Sequence, residues 1–124
     1  MKRLSFFGLV GFIVFAGLYH FINPQFYLPL IPDYIPFKGF VNVLSGIAEI
    51  ILGVLLLSTR WRKLAGIGLI LLMLAFIPAH IHFIRLGNCV PGGLCVPAWV
   101  GWARLLIVHP LLIYWIFSGS RYTS

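Results

Sequence analysis

The sequence predicts an all-α polytopic membrane protein, a four-transmembrane-helix bundle with a proline-rich extracytoplasmic interfacial loop. Three observations point there. Of the 124 residues, 61% are hydrophobic and 9% charged, with a mean hydropathy of +1.05. A soluble domain this small leaves much of its surface in water and has nowhere to hide so much apolar area. The apolar residues fall in four continuous runs, at about residues 4–22, 39–57, 64–84 and 98–117. Most Lys and Arg residues flank these runs, as topology in a bilayer requires.

Each run would extend roughly 30 Å as a helix, enough to cross the hydrocarbon core. The runs are continuous rather than alternating, and about twice as long as a barrel strand. Backbone in lipid must satisfy its own hydrogen bonds, so helix is the physical default. The runs take up most of the chain, and a single transmembrane domain over residues 1–124 is expected.

Met1-Lys2-Arg3 before an apolar run resembles a signal peptide. Bulky Tyr19-His20-Phe21-Ile22-Asn23 replaces the small residues of a cleavage site, so an uncleaved first span is expected. Residues 23–38 contain Pro24, Pro29, Pro32 and Pro36, which rule out a regular helix. Phe26, Tyr27, Leu28, Ile31 and Tyr34 make this segment too apolar for a solvated linker. An interfacial loop or short helix folded over the bundle mouth fits better.

The second span carries the most informative residues. At 100° per residue, Gly39, Asn42, Gly46, Glu49 and Gly53 share one narrow arc, with Ser45 at its border. Small residues let helices approach and polar ones bond across, so packing alone accounts for the glycines. It accounts poorly for Glu49, which lies about 15 Å deep and is costly there. A basic turn, Ser58–Lys63, leads to the third span, which contains Pro78-Ala79-His80. The loop that follows holds Cys89 and Cys95 around Pro91-Gly92-Gly93. A disulfide is sterically easy there if the turn brings the Cα atoms within about 7 Å. A structural staple is the simpler reading, since a redox-active pair is better signalled by CxxC.

The fourth span places Arg104 about 9 Å deep and His109, before Pro110, level with Glu49. Five residues apart on a regular α-helix, the two diverge by about 140°, so only one is expected to face Glu49. Arg104 has a stem long enough to turn inward, and a Glu49–Arg104 pair would offset the burial of both charges; His109 is the other candidate partner of Glu49, and snorkelling to the headgroups is the alternative for Arg104. Pro110 is expected to break the helix locally and free the Leu106 carbonyl. Trp61, Trp99 and Trp102 mark span ends.

The net charge of +7 reflects topology rather than nucleic-acid binding, since no aromatic-interleaved basic surface accompanies it. Lys2, Arg3, Arg60, Arg62, Lys63 and Arg121 fall on one side, against Lys38 and Arg85 on the other. This puts both termini in the cytoplasm of a plasma-membrane protein. No phosphate loop, nucleophile elbow, HExxH or Rossmann glycine run is present. His80 and His82, two residues apart, face nearly opposite ways, and no metal site is expected. Together Asn42, Ser45, Glu49, His20, His80 and Arg104 are expected to line an outward-opening polar cavity. Such a cavity suits a quinone- or lipid-like amphiphile.

These residues resemble the DoxX-like family of small four-helix integral membrane proteins. The resemblance rests on Asn23-Pro24-x-Phe26-Tyr27, on Ser45-Gly46-x-x-Glu49-Ile50-x-x-Gly53, on Pro78-Ala79-His80 and on Arg104-Leu105. Asn23 stands where the family often has Lys, and His109 lies near the place of a family glutamine. The resemblance implies a redox-associated accessory subunit, since relatives are linked to thiosulfate:quinone oxidoreductase and to membrane partners of superoxide dismutase and sulfurtransferase. A membrane or periplasmic redox protein is then the expected partner, and a homo-oligomer is compatible with it. A more distant branch similar to this core assembles ion-channel receptors, so a non-enzymatic assembly factor is the alternative. A small transporter ranks below both.

Overall fold

The computed structural model describes residues 1–90, 93 and 95–123. Helix α1 spans Arg3–Ile22 and buries Phe6, Leu9, Val10, Ile13, Gly17 and His20, one stripe at helical spacing. A short helix α2, Pro24–Tyr27, begins at a proline, whose missing N–H costs nothing at a helix start. One 3₁₀ turn follows at Leu28–Leu30. Helix α3, Lys38–Leu55, buries Asn42, Gly46, Glu49 and Gly53. Gly39, expected on the same arc, is exposed, and no packed neighbour lies within 4 Å of where its Cβ would stand.

The third apolar run forms α4, Arg62–Ala75, and α5, Ile77–Arg85. At their junction the Phe76 N–H is shared between the Leu72 and Met73 carbonyls. The fourth forms α6, Ala98–Ala103, a π turn, Arg104–Val108, and α7, His109–Ser120. Among the described residues, four helical segments are long and apolar enough to cross a membrane: 3–22, 38–55, 62–85 and 98–120. They match the four sequence runs to within about three residues, the usual uncertainty of helix ends. Leu4, Ile22, Phe40, Leu64, Leu71 and Leu111 point out of the bundle. Such an apolar exterior is what a lipid-facing bundle presents.

Cys89 and Cys95 face each other across an antiparallel bridge and are joined by a disulfide. Pro91 and Gly92 of the turn expected between them lie outside the described residues. Helix α5 ends at Gly87, φ +80°, a left-handed position that favours glycine after a helix. Between the 3₁₀ turn and α3, Lys38 donates to the Asp33 carboxylate at 2.7 Å. That bond holds the Asp33 carboxyl below its ordinary pKa.

The core divides along the bundle axis. At the end carrying both termini, Phe6, Leu9, Ile13, Leu56, Leu69 and Ile116 belong to one buried apolar cluster. At the loop end Leu30, Phe83 and Val90 form a smaller one. Arg62 closes the terminal end. Its Nε donates to the Leu56 carbonyl at 2.7 Å, and its Nη2 reaches the Leu57 carbonyl at 3.4 Å. Its Nη1 donates to the Tyr122 carbonyl at 2.7 Å. The guanidinium also lies over the Phe6 ring, 4.6 Å from the centroid. A planar donor fork thus serves carbonyls left over at the end of α3 and beyond α7.

Arg62→Gln should lower stability by about 2–4 kcal/mol, since charge-assisted bonds to buried carbonyls are lost. Arg62→Lys should recover only part of it, because one ammonium cannot span the three carbonyls. Thermal unfolding in mild detergent checks this; an unchanged midpoint in Arg62→Gln would show that the clamp carries no stability.

Candidate functional site

The site starts from a close helix crossing. Of the helix pairs, α1 and α3 share the most extensive contact. A Cβ on Gly46 would stand 2.8 Å from the His20 Cβ and 3.0 Å from the Gly17 carbonyl oxygen. A Cβ on Gly17 would stand 2.9 Å from the Gly46 carbonyl oxygen and 3.0 Å from the Glu49 Cβ. Only glycine at both places allows this approach without displacement.

The crossing delivers His20 to the polar stripe of α3. The His20 Nδ1–H donates to the Asn42 Oδ1 at 2.8 Å, and the Asn42 amide nitrogen donates to the His20 carbonyl at 3.0 Å. The second bond fixes the amide, because a flipped Asn42 would set two carbonyl oxygens against each other. The amide in turn fixes the ring: Nδ1 carries a proton, and Nε2 turns toward Glu49.

The His20 Nε2 lies 3.3 Å from the Glu49 Oε2, with both side chains almost wholly buried. This is the range of an ion pair. It is longer than a charge-assisted hydrogen bond, and Oε2 receives no well-aligned donor. The imidazole set against the carboxyl gives each of two buried polar groups a partner, which lowers the cost of burying both.

Glu49 pairs with neither of its two candidates on the fourth span, Arg104 and His109, and it does not line the cavity. The glycine crossing brings His20 of α1 into contact with it instead. Tyr27 of α2 covers the pair from the loop side. Its ring stacks on His20 with centroids 3.7 Å apart and planes 13° apart. Burial, then repulsion from Glu49 and Tyr19, pushes the Tyr27 phenol up to about 12, so it remains protonated and able to donate. Its hydroxyl points to the Ala16 carbonyl at 3.4 Å.

Beside this cluster lies a cavity of about 360 Å³. The structure brings five of the six sequence-derived residues to its wall: His20, Asn42, Ser45, His80 and Arg104. The rest is apolar or aromatic, including Phe26, Leu30, Leu72, Phe76 and Phe83. The proline-rich segment forms the loop side through Ile31, Pro32 and Ile35. The size is within the range of small-molecule sites, as is the ratio of a few polar groups to many apolar ones.

The π turn changes what the fourth span presents. The His109 N–H bonds to the Arg104 carbonyl, five residues back. That closure stacks residues five apart on one face, whereas an α-helix spreads them. Both Arg104 and His109 therefore face α4 and α5, and neither pairs with Glu49. The Arg104 guanidinium lies over the Phe83 ring, 5.1 Å from the centroid. The buried His109 Nε2 bonds to the Met73 carbonyl at 2.7 Å, and its ring meets His80 edge to face at 4.7 Å. The helix widens ahead of Pro110 instead of breaking there. His82 sits apart from the cavity, beside Pro32, Tyr34 and Arg85. Among the described residues, no three His, Cys, Asp or Glu side chains converge as a metal site needs.

A family defined as a domain of unknown function (DUF8561) matches residues 9–119, and the chain belongs to it. The match reaches into all four spans and takes in every cavity residue named here. No curated protein and no solved structure matches the chain.

The fixed His20 ring is directly readable. In histidine-labelled protein the His20 Nδ1–H should exchange slowly with water, and Asn42→Leu should make it fast. Equal exchange in both proteins would mean that the amide does not hold the ring.

Proposed function

We propose that this chain is a plasma-membrane protein whose cavity binds a quinone- or lipid-like amphiphile. The carrying observation is the cavity itself, apolar over most of its wall and polar at His80, Arg104 and the His20–Asn42 pair. An amphiphile would put its ring or tail among Phe26, Leu72, Phe76 and Phe83, and its head toward Arg104 and His80. Lys and Arg asymmetry supports cytoplasmic termini, with the cavity near the extracytoplasmic face.

Glu49 enters this reading as a positioning residue. It acts through His20, whose ring forms part of the wall. The resemblance to DoxX-like proteins supports a place as accessory subunit beside a membrane or periplasmic redox protein. In that setting the chain holds the amphiphile and the partner supplies the chemistry.

Native mass spectrometry of protein gently extracted from its own membranes tests the reading. We expect a stoichiometric small-molecule adduct whose mass names its class. Ala79→Trp, which fills the cavity from α5, should abolish the adduct while the protein stays folded. An adduct unaffected by Ala79→Trp, or none at all, would overturn the cavity as a binding site. A co-purified membrane protein in place of the adduct would favour an assembly role.

A further inference from the structure

Charge accounting narrows the ligand. The chain has two acidic side chains, Asp33 and Glu49. Asp33 is held by Lys38 outside the cavity at 2.7 Å. Glu49 is held by His20 at 3.3 Å, behind the cavity wall. Neither is left for Arg104, which lies on the cavity wall within the fourth span.

The Arg104 Nη1 is buried and has no hydrogen-bond partner. The Phe83 ring beneath the guanidinium offers a cation–π contact, but a ring face accepts no in-plane N–H bond. The neighbouring cavity groups do not supply a counter-charge either: His80, Asn42 and Ser45 carry none that is negative. A guanidinium is always charged and keeps five donors in a rigid fork, so its demand is for an oxyanion. An unpaired charge at such a place is costly and marks a ligand site by default.

We infer that the cavity takes an acidic amphiphile, with a single oxyanionic head bonded to the Arg104 fork and an apolar tail among the aromatic side chains. This rests on the amphiphile reading above and sharpens it, since a quinone offers only neutral carbonyl oxygens. A free carboxylic acid and an anionic phospholipid carry the same chemistry.

Equilibrium dialysis of the whole protein in a neutral maltoside detergent separates the cases. Labelled decanoate and decanol share a tail and differ in head charge. Decanoate should bind about 10- to 100-fold tighter than decanol, the worth of a charge-assisted bond. Arg104→Gln should remove that preference while decanol binding persists, which also reports an intact fold. Arg104→Lys should keep part of it. Lysophosphatidylglycerol displacing decanoate at lower concentration than decanoate itself would support the inference and name a lipid head as the source; weaker displacement would support it with a free acid as the source.

Equal binding of decanoate and decanol, or an undiminished preference in Arg104→Gln, would overturn the acidic head and leave the amphiphile cavity standing. If decanoate, decanol and a decyl-quinone all fail to bind, both the cavity reading and this inference fall.

Discussion

The glycine crossing of α1 and α3 is the contact on which the rest depends. Gly17 and Gly46 allow the two backbones to approach until each glycine faces the other's carbonyl oxygen. His20, one turn beyond Gly17, then reaches both Asn42 and Glu49. A wider crossing would leave a carboxyl in apolar surroundings with no partner, which is costly. Small residues here solve an electrostatic problem as much as a steric one. The loop follows from the same contact: Tyr27 stacks on the histidine that the crossing has placed.

The two ends of the bundle are built on different terms. At the terminal end Arg62 is engaged by three carbonyl acceptors and aromatic faces, and the cluster around Leu9 and Leu69 is wholly apolar. At the loop end the packing opens into a cavity, and Arg104 keeps a donor unmatched. Both arginines are on apolar spans, so charge type does not distinguish them. Satisfaction does. A guanidinium whose donors are engaged by backbone reads as a fastener, whereas one left open beside a cavity reads as a receptor.

The spans were legible because their signal is additive: about twenty apolar residues in a row outweigh any local ambiguity. The α3 arc was legible for a similar reason, since 100° periodicity places Asn42, Gly46, Glu49 and Gly53 together whatever lies opposite. Partners were not. Glu49 had two candidates on the fourth span, Arg104 and His109, and its pairing with His20 instead depends on how closely α1 and α3 approach. That distance is set jointly by two glycines on different helices. Arg104 and His109 come to one side because the helix between them is a π turn, which α-helical periodicity does not foresee. Pro110 hinted at an irregularity there but not at its kind. In the sequence Arg62 is a topology charge, although an arginine seven residues beyond the end of a helix has the reach to serve the carbonyls left over there. Tyr27 lay in a segment whose prolines exclude regular helix, so no register linked it to His20.

The pairing of Glu49 with His20 has a consequence for Arg104. The chain has one carboxylate at membrane depth and two candidate cations for it. Had Glu49 paired with Arg104, the ion pair would have occupied the cavity, and the guanidinium's fork would be filled by the protein itself. The histidine prevents this. It engages Glu49 with a group whose other nitrogen is already held by Asn42, so the ring has no freedom to yield. The pocket is thereby left with an arginine whose counter-charge must come from outside the chain. A buried polar network usually strengthens the fold that contains it. Here its second effect is to reserve one positive charge, and the cavity keeps its demand for an anion because the only internal anion at that depth is already engaged.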